Sequence, residues 1–258
     1  MNILAVGDIV GDAGSAFLSN HLPSVKRLYG IDFTIVNGEN SAKGNGIGVE
    51  NAKSIFSAGA DVITTGNHVW QKKEIFDFLD ENANIIRPEN YPKGVPGRGY
   101  TIIDCGKYSV CVINLLGNIY LEPVDSPFEA ADRVLNEIEG KAKIIVVDMH
   151  AEATSEKKAM GYYLDGRVSA VFGTHTHVQT ADEQILSKGT AYITDIGMTG
   201  AIDSIIGVKT DIILKKFLTR LPVYFEQADG DCMMNAVIIS VDEKTGISQG
   251  IERITIKS

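Results

Sequence analysis

The run Gly173-Thr174-His175-Thr176-His177 holds two of the chain's five histidines. Val168 to Phe172, just before it, is apolar and predicts a buried strand. On extended backbone, residues two apart project to one side. His175 and His177 are therefore expected to share a face beyond a strand end. Neutral imidazole is the commonest metal ligand; a pair of ordinary polar loop residues is the plainer alternative. Residues elsewhere weigh on that choice. Asp8 follows the apolar run Ile3 to Val6, and Glu39 with Asn40 follows Phe33 to Val36. Asn67 and His68 follow Asp61 to Thr65, and His150 ends the run Lys143 to Met149. Alone, Asp8 reads more readily as a helix N-cap. Metal-capable residues after five separate strands are hard to reach by accident. Only His21 lies outside the set, expected on the surface of an early helix.

These donors are oxygen and nitrogen, without sulfur, which suits manganese, iron or zinc. They exceed what one open catalytic metal needs. Two ions roughly 3.5–4 Å apart, sharing a carboxylate, accommodate them. Glu39, with two acceptor oxygens, is the natural bridge. Two divalent ions bring four positive charges, and Asp8 and Glu39 remove two. The pocket stays cationic although the chain carries a net charge of −9. A phosphate ester needs such a pocket.

The elements that must position these groups follow from pattern. Short apolar strands, each ending in polar residues, alternate with helical stretches, as in open α/β sheets that bind ligands at strand carboxyl ends. Helices are predicted over Glu50 to Ala58, stopped by Gly59, and over Val69 to Leu79. Residues 89–99 read as a loop, and 100–113 as a β-hairpin. Ser126 predicts a helix start with Pro127 in its first turn and Glu129 closing a capping box, the helix running to Ile138. Residues 151–158 can begin a short helix, and Lys209 to Leu218 looks helical. Thr190 to Thr194 reads as a strand ending in Asp195. Residues 223–227, 235–241 and 251–256 read as a closing antiparallel group. Gly7, Gly11 and Gly14 do not have dinucleotide-loop spacing. The glycine-rich stretch 43–48 is read as a surface loop in preference to a ligand contact. Asp148, Glu152 and Asp195 are candidates either for orienting imidazoles or for ordinary structural work.

At 258 residues, one α/β domain is the simplest organisation. Hydrophobic residues make up 44% and charged residues 22%, as in ordinary water-soluble domains. The acidic balance argues against a broad nucleic-acid surface, which needs a basic stripe. Cys105, Cys111 and Cys232 match no zinc or disulfide pattern and are expected as buried free thiols in a reducing cytosol. The N-terminus runs straight into a strand, so no signal peptide or membrane span is expected, and the location expected is cytoplasmic.

Asp8, Gly38-Glu39-Asn40, Gly66-Asn67-His68, His150 and the run 173–177 together resemble the calcineurin-like metallophosphoesterase superfamily. That superfamily opens on D-x-H, where this chain has Asp8-Ile9-Val10. Its second motif is G-D-x-x-D, where this chain has Gly38-Glu39-Asn40. Both departures are similar to the bacterial YmdB-like branch, in which glutamate replaces the bridging aspartate and the next asparagine serves the first metal. Residues 114–117, 147–157 and 194–200 fit the same branch, and the resemblance runs from residue 1 to about 256. It implies a mixed-sheet α/β sandwich of the metallophosphoesterase type, with metal ligands at strand C-terminal ends. A single domain over 1–258 is implied, with room for a small cap; 89–99 and 199–208 are candidates to cover the pocket.

By position, Asp8, Asn40 and His177 would hold the first metal, Asn67, His150 and His175 the second, and Glu39 would bridge. His68 matches the family's catalytic histidine, not primarily a ligand. The resemblance implies two divalent or trivalent ions, iron or manganese ahead of zinc, and a homo-oligomer. It also implies a small phosphodiester substrate such as a cyclic nucleotide. A water between two cations becomes hydroxide near neutral pH and attacks phosphorus in line. Protonated His68 would then assist the leaving oxygen. The alternatives are a phosphomonoesterase such as a nucleotidase, and a slow-turnover regulatory nucleotide-binding protein.

Overall fold

Period-two alternation along the strands divides the apolar side chains between two destinations. The computed structural model describes residues 1–258. Its strands are β1 (Asn2–Val6), β2 (Asp8–Ile9), β3 (Phe33–Asn37), β4 (Val62–Thr64), β5 (Tyr100–Asp104), β6 (Ser109–Leu116), β7 (Ile144–His150), β8 (Ala170–Thr174), β9 (Gln184–Ile185), β10 (Ala191–Ile193), β11 (Met198–Ala201), β12 (Cys232–Val241) and β13 (Ser248–Lys257). Its α-helices are α1 (Gly11–Tyr29), α2 (Val49–Ala58), α3 (Ile75–Glu81), α4 (Pro127–Glu137), α5 (Thr154–Tyr163) and α6 (Thr210–Thr219).

One sheet runs β2-β11-β12-β1-β3-β4, with β13 also paired to β12; the other runs β5-β6-β7-β8-β10-β9. In β1, Ile3 and Ala5 enter a core shared with Val112 of β6, Ile144 of β7 and Phe172 of β8, between the sheets. Leu4 and Val6 enter the opposite core, with Leu18 of α1 and Ile55 of α2. On the second sheet, Ile145, Val147 and Met149 of β7 face outward to Ala130 of α4 and Met160 of α5. The result is a helix–sheet–sheet–helix sandwich. β1, β3 and β4 are parallel, as are β6, β7, β8 and β10, so their carboxyl ends lie along common edges.

Four expectations change. The stretch 69–79 is not one helix: a 3-10 turn, Val69–Gln71, precedes α3, and Lys72 between them is extended (φ −117°, ψ 109°). The break accompanies an edge-on aromatic cluster, with the Trp70 ring 5.6 Å from Phe76 and 5.3 Å from Tyr91. Residues 223–227 form no strand beyond a single bridge from Gln227 to Val208. One edge of β12 is taken by β13 and the other by β1 and β11, which leaves no ladder for a further strand. Ser126 caps α4 by accepting from the Glu129 N–H at 3.4 Å, without the return bond of a capping box. All three cysteines are free, but Cys105 is exposed. No helix is long and apolar enough to cross a membrane.

Candidate metal centre

Parallel strands deliver the chemistry-bearing residues to one end of the sandwich. On β7, Ile144 and Val146 face the inter-sheet core, and the same alternation carries Asp148 and His150 onto that face. Both are fully buried, as are Asp8 and Glu39. Gly66, between β4 and Asn67, admits the cluster by lacking a side chain. A Cβ there would lie 2.3 Å from His150 Nε2 and 2.4 Å from Glu39 Oε2.

The eight expected residues meet in one network. His150 Nε2 lies 3.1 Å from each of Glu39 Oε1, Asn67 Oδ1 and His175 Nδ1. Glu39 Oε2 accepts the His68 backbone N–H at 3.1 Å, and Oε1 accepts Asn40 Nδ2 at 3.1 Å. Asn40 Nδ2 is 3.4 Å from His177 Nε2, which is 3.5 Å from Asp8 Oδ1. Asp8 Oδ2 accepts the His175 N–H at 3.2 Å, whereas buried Oδ1 has no hydrogen-bond partner.

The outer nitrogens of His150, His175 and His177 each have an acceptor. Thr174 Oγ1 donates its one hydrogen to Asp148 Oδ1 at 2.7 Å, so toward His150 Nδ1, 2.8 Å away, it can only accept. His150 therefore carries its proton on Nδ1 and turns the Nε2 lone pair inward. Thr64 Oγ1 and Asn37 Nδ2 also donate to Asp148, from the other sheet, at 2.5 and 3.2 Å. His175 Nε2 faces Glu152 Oε2 at 3.2 Å, and His177 Nδ1 donates to the Ile206 carbonyl at 2.9 Å. Three imidazoles thus turn lone pairs inward: His150 toward the Glu39 carboxylate and the Asn67 amide oxygen, His175 toward His150, and His177 toward the Asp8 carboxylate. Acceptors at such separations repel unless a cation or proton lies among them. Glu39, His150 and His175 offer atoms all within 4.8 Å of one another and can hold a metal ion. Asp8 Oδ1, Asn40 and His177 form a second donor group beside it.

Protons otherwise fill that need. Burial would raise the Asp8 carboxyl, but neighbouring His177 outweighs it and holds the carboxyl low. Glu39 is held well below the carboxylate range, against burial, by His150 and His68. His177 is pushed up to about 9, because Asp8 beats the opposing effect of burial. His175 is pushed down to about 3 by burial and by His150. Burial lifts Asp148 to about 6.

The backbone differs from the expected extended run: His175 and His177 have φ of +96° and +64°. A turn, not a strand, presents them, and Asp195 pins it. Asp195 Oδ2 accepts both the Thr176 N–H, at 3.1 Å, and Thr176 Oγ1, at 2.8 Å. Buried Lys157 of α5 pairs with the same oxygen at 2.7 Å. Of the two stretches expected to cover the pocket, 199–208 contributes Ile206 and Val208 to the cavity over the histidines, and 89–99 contributes nothing. Tyr91 instead packs on Trp70, and Asn90 donates to the Leu116 carbonyl at 2.7 Å. Thr64, Thr174, Asn37 and Lys157 were not singled out by sequence reasoning. Thr174 lay within the histidine run, and nothing in its type set it apart.

The two-sheet sandwich is the calcineurin-like phosphoesterase fold. A phosphoesterase of that kind from Bacillus subtilis superposes with a TM-score of 0.55 at 11% identity, over 100% of this chain and 90% of that one. Within that class, the chain belongs to the YmdB-like protein family, which matches residues 4–254. It is 50% identical over 256 residues to the 2',3'-cyclic-nucleotide 2'-phosphodiesterase of Bacillus subtilis, spanning 99% of this chain and 97% of that one. A hypothetical protein from Thermus thermophilus superposes with a TM-score of 0.94 at 41% identity, over 100% and 99% of the two chains. A novel phosphatase from Mycoplasma pneumoniae gives 0.94 at 32% identity, over 100% and 93%.

Proposed function

We propose that the chain is a dinuclear metal-dependent phosphodiesterase acting on small nucleotide diesters, 2',3'-cyclic nucleotides foremost. The observation that carries the reading is the meeting of three acceptors on His150 Nε2, each at 3.1 Å, beside the partnerless Asp8 Oδ1. The half-identical Bacillus subtilis relative, a cyclic-nucleotide phosphodiesterase, supports the substrate class. His150, His175 and Asn67 would hold one ion, Asp8, His177 and Asn40 the other, and Glu39 would touch both. Iron or manganese suits these donors best. For Asn40 to turn its oxygen toward His177, its amide must rotate, exchanging Oδ1 and Nδ2 beside His68. When bound, the ions supply a lowered water pKa and positive charge beside the phosphoryl oxygens.

The protein's own part begins with His68. Its Nδ1 lies 2.8 Å from Asn40 Oδ1 and 3.4 Å from Glu39 Oε1. Once the Asn40 amide has rotated, Glu39 Oε1 is the acceptor left to hold Nδ1–H and orient the ring, and Nε2 is free to carry a proton. Protonated His68 hands that proton to the departing ribose oxygen. No serine or cysteine nucleophile is needed. The test compares bis-p-nitrophenyl phosphate, p-nitrophenyl phosphate and 2',3'-cyclic AMP with added manganese. Faster turnover of the diesters is expected. Monoester preference would make it a nucleotidase-type enzyme, and tight nucleotide binding without turnover would make it a regulatory binder.

A further inference from the structure

The cavity over the histidines, about 320 Å³, is lined by two unlike groups of side chains. His68, His175 and His177 are the first group; Val10, Ile206, Val208 and Phe225 are the second, apolar group. A phosphate group needs only the first. The second fits a flat, weakly polar group attached near the phosphate, as in a nucleoside. Phe225 is the aromatic residue in the lining, and it remains 47% exposed. Lys216 Nζ of α6 lies over one face of the ring, 4.4 Å from its centre, which leaves the other face for a ligand. Two residues on, Gln227 Nε2 donates to the Ala42 carbonyl at 3.0 Å, tying this segment to the residue that leads into the glycine-rich loop 43–48.

That loop reaches the cavity through Asn45. Gly44, Asn45 and Gly46 all have positive φ, at 74°, 68° and 81°, a conformation costly for a side-chain-bearing residue. Asn45 is half-buried and its side-chain amide makes no hydrogen bond within the protein, so its two donor hydrogens and its acceptor oxygen remain for a ligand. The sequence reading of this loop as plain surface is therefore incomplete.

We infer that Phe225 is the stacking platform for the nucleobase and that Asn45 meets the base's polar edge. The cavity is then a nucleoside subsite beside the metal centre. The inference rests on the phosphodiesterase reading and names what selects the substrate. Base–aromatic stacking is sequence-tolerant, so the subsite favours nucleotides over base-free diesters.

The test compares kcat/KM for 2',3'-cyclic AMP with that for glycerol 1,2-cyclic phosphate in manganese-loaded protein. Phe225→Ala is expected to lower the nucleotide-to-glycerol ratio by about 5- to 100-fold, as loss of a stacking contact would, chiefly through the nucleotide's KM. Phe225→Trp should restore the ratio, and Asn45→Ala should lower it less. An unchanged ratio in Phe225→Ala overturns the subsite, even if both rates fall. Calorimetric binding of adenosine 3'-monophosphate and inorganic phosphate separates this from the functional reading. If wild-type protein hydrolyses neither diester, that reading fails. The subsite still stands if Phe225→Ala weakens the nucleotide alone, and falls if both ligands are affected equally or neither is.

Discussion

His68 and His150 sit within one network but have different neighbours. His68 Nδ1 is engaged by Asn40, and its backbone N–H by Glu39. Removing its ring deletes no donor from the acceptor cluster around His150. His68→Ala is expected to keep most bound metal, measured by elemental analysis, while kcat falls by about 10²- to 10⁴-fold. Loss of metal in that variant would show His68 to be a ligand. Thr174 acts through His150. Thr174→Val keeps the shape but removes the acceptor for Nδ1–H and a donor to Asp148. Metal affinity should drop about 10- to 100-fold, seen as a higher metal concentration for half-maximal activity. The rate at saturating metal should change far less.

Between elements, close approach of β8 and β10 sets where the histidine turn begins. A Cβ on Gly173 would lie 1.8 Å from the Thr194 carbonyl oxygen. Gly173→Ala must push the two strands apart and is expected to lose at least about 1–3 kcal/mol in denaturant unfolding. Asp182 locks the other side of β10. Its carboxylate accepts from Thr180 Oγ1 at 2.7 Å, from the Thr194 N–H at 3.1 Å and from Thr194 Oγ1 at 2.5 Å. Burial opposes ionisation, but these bonds and Lys158 outweigh it and hold the carboxyl below its ordinary range. A depressed folded pKa gives stability that is present above the unfolded pKa of about 3.9. That stability is lost as pH falls through the lower folded value. Asp182→Asn should therefore be less stable than wild type at pH 7. The gap should narrow on acidification below about pH 4, measured by urea unfolding at each pH.

At the scale of the molecule, the same cluster couples function to stability. Donors from both sheets meet there: Asp8, Glu39, Asn40 and Asn67 follow strands of one sheet, and His150 and His175 follow strands of the other. An ion held among them cross-links the sandwich at one end. At a free metal concentration 100 times Kd, binding to the folded state adds about 2.7 kcal/mol. For a chain of this size, that is about 5–10 °C in Tm. Chelation should lower Tm by this order, and manganese should restore it. An unchanged Tm would mean that no ion bridges the sheets.

Much of this was legible in the residue order. Alternating apolar runs specify which side chains meet helices and which meet the other sheet, because strand side chains alternate with period two. Polar residues at the ends of those runs marked the site, because parallel strands bring their carboxyl ends to a common edge. The sequence by itself thus determined the layers, the residues that meet at the site and the family likeness. It could not determine the turn at His175 and His177, whose left-handed backbone depends on Asp195 and Lys157 arriving from distant segments. Nor could it show that Lys72 breaks a helix, that β12 has no edge left for residues 223–227, or that Phe225 and Asn45 share a cavity. Local periodicity is a property of neighbours in the chain. These features depend on contacts between residues tens to hundreds of positions apart, which only the folded chain brings together.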